Sequence, residues 1–163
     1  MLLLVNSLAH LLVDGLCAAV IFGQVGASEH LAALILTYNT LAFSTQCLVG
    51  IAADRLRRHG ISASAAMALV ILGFALPLPD VLRVCCAGVG NSVFHVALGS
   101  MTLERCGGKA SHLGIFVAPG AVGLTLGTLF PELGVWFALL LALCAAAVLL
   151  WIALRRQRAK RTA

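Results

Sequence analysis

Charge is what this sequence has least of. Only 10% of its 163 residues are charged, against about 25% in an ordinary soluble domain. Apolar residues make up 61%, where about 45–50% is usual. At a mean hydropathy of +1.05 the chain lacks the polar surface to cover a core in water, and a soluble fold is excluded. Aromatics are scarce too, 6% with a single Tyr, so the basic residues are not interleaved with stacking side chains and a nucleic-acid partner is excluded. The six cysteines contain no C-x-x-C and no Cys/His ligand spacing. Cys17, Cys47, Cys85, Cys86 and Cys144 sit in apolar runs and read as small buried residues. No disulfide, no metal and no other cofactor is expected.

What the chain does have is apolar length. Six stretches, at 2–22, 31–53, 61–78, 81–103, 113–130 and 135–154, are separated by short polar or helix-breaking turns. A bilayer-spanning helix takes about 20 residues, so the six spans use nearly the whole chain. The expected organisation is an all-α transmembrane bundle over residues 1–154 and a basic tail over 155–163. The first stretch has no basic leader and no A-x-A-like site, and it carries His10 and Asp14, so it reads as a mature helix rather than a signal peptide.

The Lys and Arg residues set the orientation. Ten lie on one side: Arg55, Arg57 and Arg58 in the second turn, Arg105 and Lys109 in the fourth, and Arg155, Arg156, Arg158, Lys160 and Arg161 in the tail. Arg83 stands alone on the other. The positive-inside rule then expects both termini in the cytoplasm of a bacterial cell, with the chain in the inner membrane.

Polar residues are confined to certain spans. The third and sixth have apolar middles and read as peripheral, facing lipid all round. The first, second and fourth read as inner helices, because they carry Asn6, His10 and Asp14, then Tyr38, Asn39, Thr45 and Gln46, then Asn91, Ser92 and His95. Asn6, His10 and Asp14 recur at i, i+4 and i+8, and Asn91 and His95 repeat the i, i+4 step, so each set forms a stripe. A carboxylate at mid-membrane costs about 2.5–3.5 kcal/mol on insertion scales, so Asp14 requires a partner or a watery cavity. Interhelical hydrogen bonding is the competing reading, and for Asn6, Asn39, Thr45 or Ser92 taken singly it is the better one. In the fifth span Gly114, Pro119, Gly120, Gly123 and Gly127 suggest close backbone approach with a hinge at Pro119.

Three segments, His10-Leu-Leu-Val-Asp14, Leu36-Thr-Tyr-Asn39 and Gly90-Asn-Ser-Val-Phe-His95, together resemble the amino-terminal six-helix half of a major facilitator superfamily transporter. They are most similar to the fosmidomycin-resistance-like drug exporters. Gly50-Ile-Ala-Ala-Asp54-Arg55-Leu-Arg57-Arg58 is similar to the superfamily's G-x-x-x-D-R-x-G-R loop, with Arg57 where a glycine is usual, and Ala118-Pro-Gly-Ala-Val-Gly123 to the antiporter motif of helix 5. Where those exporters continue His-Pro-Glu, His95 is followed by Val96-Ala97.

The resemblance implies a cavity between helices 1 and 4, with His10, Asp14, Tyr38, Asn39, Asn91 and His95 on a substrate or proton path. It implies a cytoplasmic gate at Gly50, Asp54, Arg55 and Arg58. Since the family has twelve helices, the expected function is a half-size secondary transporter for a small organic solute or drug, completed by a second copy or another six-helix half, with Asp14 as the carboxyl for proton coupling. The alternative is a truncated or non-transporting membrane protein that acts as an interaction or regulatory module. An enzyme is not expected, since no nucleophile accompanies His10 and Asp14.

Overall fold

The computed structural model describes residues 2–161 as helices and short turns, with no strand among them. There are six helical rods. The first, α1, is α-helical over Leu2–Ala18 and continues as a π-helix over Ala19–Gln24. The second, α2, runs over Leu31–Asn39, passes through a π-helical stretch at Thr40–Ser44 and resumes over Gln46–Leu56. Then follow α3 (His59–Ala75), α4 (Asp80–Arg105), α5 (Ala110–Leu129), a 3-10 turn (Pro131–Leu133) and α6 (Gly134–Arg161). The expected basic tail is thus helical from residue 155 to Arg161 as an extension of α6. The side chains of Arg155, Arg156, Arg158, Lys160 and Arg161, and residues 162–163 altogether, lie outside the described part.

The turns end the helices for identifiable reasons. Pro77 and Pro79 cannot continue α3, and Asp80 in the first turn of α4 meets the free N–H groups there. Gly107 and Gly108 take left-handed φ values of 62° and 72° after α4, a conformation open to glycine without penalty. Arg83, the one basic residue at its end of the bundle, donates from Nη1 to the carbonyl oxygens of Gly73 and Phe74, both at 3.1 Å, and to Gln24 Oε1 at 2.5 Å. It thereby satisfies carbonyls left over at the end of α3.

Arg57 closes α2 in the left-handed region, at φ 48° and ψ 31°. It is the position where the resembling loop motif has glycine. A side chain there costs about 1–2 kcal/mol that glycine does not. Arg57→Gly is therefore expected to raise the thermal midpoint of the purified protein by a few degrees, measured by size-exclusion after heating. An unchanged or lower midpoint would count against this backbone geometry.

Five rods are long and apolar enough to cross a membrane. α3 has 17 residues, about 25 Å at 1.5 Å per residue, short of the ~30 Å hydrocarbon core. Two expectations about helix position are corrected. α3 is not lipid-facing all round: Ala63, Ala66, Met67, Val70 and Gly73 are buried, chiefly against α4 and α6. A Cβ on Gly90 of α4 would lie 3.0 Å from the Ala66 carbonyl, and one on Gly73 2.9 Å from Cys86 Cβ. α2, expected inside, is the most exposed span, with 11% of its apolar window buried. The reason is that alanine and glycine, which carry little hydropathy contrast, make the close helix contacts, whereas α2 packs mainly on α4 and leaves Leu36, Leu48 and Leu56 uncovered within this chain. α6 is peripheral as read, touching the core through Phe137, Leu141 and Val148. Of the cysteines only Cys17 is buried; Cys47 is exposed and the other four are intermediate, all as free thiols.

The tightest pair is α1 with α5. A Cβ on Gly123 would fall onto the Leu11 carbonyl oxygen, and one on Gly127 onto that of Gly15. The G-x-x-x-G pair is the contact that brings the two backbones together.

Candidate functional site

Pro119 sets up the site from α5. It has no N–H, so the carbonyl of Ile115, four residues earlier, loses its helical donor. Ser7 of α1 faces that oxygen with Oγ at 3.1 Å, and can alternatively donate to Leu3 O at 2.8 Å. One residue on, the Phe116 carbonyl lies 3.0 Å from His10 Nδ1. A carbonyl only accepts, so His10 Nδ1 carries a hydrogen and Nε2 is the nitrogen left to face the interior.

That Nε2 points into a cluster. It lies 2.6 Å from His95 Nε2 and 3.1 Å from Asp14 Oδ2. His95 Nε2 lies 3.5 Å from Asp14 Oδ1. At 2.6 Å the two imidazole nitrogens share a single hydrogen. Asn91 Nδ2 donates to Asp14 Oδ1 at 3.5 Å and to the Tyr38 hydroxyl at 2.5 Å. His10 is 2% exposed and Asp14 17%, so the cluster is buried on one side and open on the other. Phe94 and Phe116 pack edge-on and tilted against the His10 ring. From α5, Gly120 leaves the room: a Cβ there would sit 2.5 Å from Asp14 Oδ2 and 2.6 Å from His10 Nε2.

The open side is a cavity of about 560 Å³ lined by His10, Asp14, Phe43, Gln46, His95, Val96, Gly99, Ser100, Leu103, Leu113, Phe116 and Val117. These positions lie in the middle of α1 and α2, in the second half of α4 as far as Leu103, and at the start of α5 from Leu113. The cavity therefore leads from the cluster toward the end of the bundle that carries Arg55, Arg57, Arg58, Arg105 and Lys109. On the other side of the cluster Val13, Leu16, Cys17 and Val20 are buried and fill the space.

His10, Asp14, Asn91 and His95 come together as one group, with Tyr38 bonded at its edge. Asn39 does not join them: it is exposed on the outer face of α2. Asn6 is buried and donates to Thr102 Oγ1 at 3.1 Å, and Thr45 meets Ser92 at 2.9 Å, so these residues tie helices of the same chain together. Asp54, Arg55 and Arg58 are exposed, and a Cβ on Gly50 would meet nothing within 4 Å. No ion pair joins Asp54 to another described residue. At the same end His59 Nε2 lies 3.4 Å from Glu104 Oε1, and the Arg105 guanidinium sits 4.5 Å from the Trp151 ring centre.

Sequence reasoning missed Phe43, Phe116 and the aliphatic wall of the cavity. Phe43 lies in the π-helical stretch of α2, a distortion common at functional sites, for which the sequence carries no signal. Phe116 contributes a backbone carbonyl, and only the position of Pro119 hints at carbonyls in need of donors. No protein-family model, curated protein or solved structure matches this chain.

Proposed function

We propose that the chain is one six-helix half of a secondary transporter of the major facilitator type, which moves a small organic solute or drug by alternating access. The observation that carries this reading is the cavity from the basic end of the bundle to its middle, floored by an ionisable cluster from α1 and α4. Intramembrane Asp and His are costly and belong to ion or substrate paths. The cavity is bounded by α1, α2, α4 and α5 and open on the side where α2 and α5 are poorly buried. A second bundle applied there, related by an axis along the membrane normal, would close it into a path. Asp14 is the carboxylate at which a coupling ion would act, and Pro119 with the close α1–α5 contact forms the element that would rock. The basic end would face the cytoplasm.

The test is accumulation. Bacteria lacking their main drug exporters, with and without this protein, are exposed to a panel of small organic solutes. The protein should change the steady-state level of at least one compound several-fold, and Asp14→Asn at equal membrane abundance should abolish the change. A flat panel with well-inserted protein favours the non-transporting alternative.

A further inference from the structure

We propose that His10, Asp14 and His95 form a binding site for a divalent transition-metal ion of the zinc class. Two imidazoles and a carboxylate, from residues up to 85 positions apart, place one ligand atom each within 4.8 Å of one another. Ligand atoms around a tetrahedral zinc, with bonds of ~2.0–2.1 Å, stand about 3.3 Å apart. The two imidazole nitrogens stand 2.6 Å apart, and the carboxylate faces them with Oδ2 3.1 Å from His10 Nε2 and Oδ1 3.5 Å from His95 Nε2, so either oxygen is within reach of a shared ion. An ion would need the imidazole pair to open by about 0.7 Å and would replace the hydrogen the two rings now share.

The surroundings fit as well as the ligands. The Phe116 carbonyl takes the Nδ1 hydrogen of His10 and so aims Nε2 at the position of the ion. Asn91 Nδ2 donates to Asp14 Oδ1 at 3.5 Å and helps to orient the carboxylate. Gly120 keeps a methyl group away from both Asp14 Oδ2 and His10 Nε2. No Lys or Arg lines the cavity to repel a cation. All three ligand residues border the cavity, so the fourth coordination position faces it, as in sites that exchange a water for another ligand rather than in closed structural ones. Imidazole with carboxylate suits zinc, cobalt and nickel better than calcium or magnesium.

Binding can be read without transport, so either result can fail while the other stands. The full chain, carrying an affinity tag without histidine, is titrated with Co²⁺ in bilayer discs and followed by visible absorption, then challenged with Zn²⁺. One Co²⁺ per chain, in a tetrahedral or five-coordinate nitrogen–oxygen environment, is expected, and Zn²⁺ should displace it. His95→Gln and Asp14→Asn should each weaken binding by at least about 100-fold, while His112→Gln leaves it unchanged. No cobalt absorption in the wild-type protein overturns the proposal, as does binding that survives His95→Gln but is lost with His112→Gln. Should the variants misfold, X-ray absorption of the zinc-loaded wild type decides. Two imidazoles with one carboxylate support the site, and a shell of water oxygens or a histidine-only shell overturns it.

Discussion

Gly123→Ala should be the most damaging addition of a single methyl group in this chain. The new Cβ would fall onto the Leu11 carbonyl oxygen, which is backbone and cannot swing aside as a side chain can. α1 and α5 would have to part, and with them would go the Gly127 contact on Gly15, the His10 bond to Phe116 and the cover over Asp14. Overpacking of this kind costs about 1–3 kcal/mol, with rigid obstacles at the top of the range. Detergent-solubilised Gly123→Ala is expected to lose most of its monodisperse yield and to melt many degrees lower. Gly114→Ala is the control: nothing lies within 4 Å of its Cβ, and alanine favours the helix by about 1 kcal/mol. Equal melting of the two variants would mean that α1 and α5 do not pack through Gly123.

Asp14→Asn has the second large effect, on function rather than on fold. Asparagine keeps the size and can still accept from Asn91, so insertion and thermal stability should change little. What disappears is the negative charge facing two imidazoles, the one carboxylate in the middle of the spans. Gradient-driven movement of any solute found in the accumulation assay should fall at least about tenfold, which is ~1.4 kcal/mol. Solute exchange without a gradient, measured in proteoliposomes, should fall far less, because rocking of the bundle does not require the charge. Transport that persists undiminished in Asp14→Asn would reduce Asp14 to a structural hydrogen-bonding group.

The cluster itself was largely legible in the sequence. Ionisable residues in a membrane span stand out against their surroundings, and the i, i+4 steps of His10 with Asp14 and Asn91 with His95 put each pair on one helix face. The depth of each helix in the bundle was not legible. α3 looked peripheral because Ala63, Ala66 and Gly73 are as apolar as a lipid-facing surface, yet small size is what lets it pack closely on α4. α2 looked internal because it holds Tyr38, Asn39, Thr45 and Gln46. Thr37 and Thr40 satisfy their hydroxyls on their own helix's carbonyls and Thr45 does so while also meeting Ser92, so polar residues on α2 do not require its burial within this chain. Asn39, the neighbour of Tyr38, consequently turns away from the cluster. The metal-ligating geometry was invisible to a search for local spacing, because His95 reaches His10 and Asp14 only through the packing of α4 against α1.

If the cavity is half of a path, as proposed, a second six-helix bundle must complete it, and a second copy of the chain is the simplest such bundle. The most direct measurement counts chains per particle in bilayer discs large enough for two bundles, by photobleaching of a single label, with solute binding or exchange followed in the same preparation. Two chains per active particle are predicted. Active particles that hold a single chain would contradict the account.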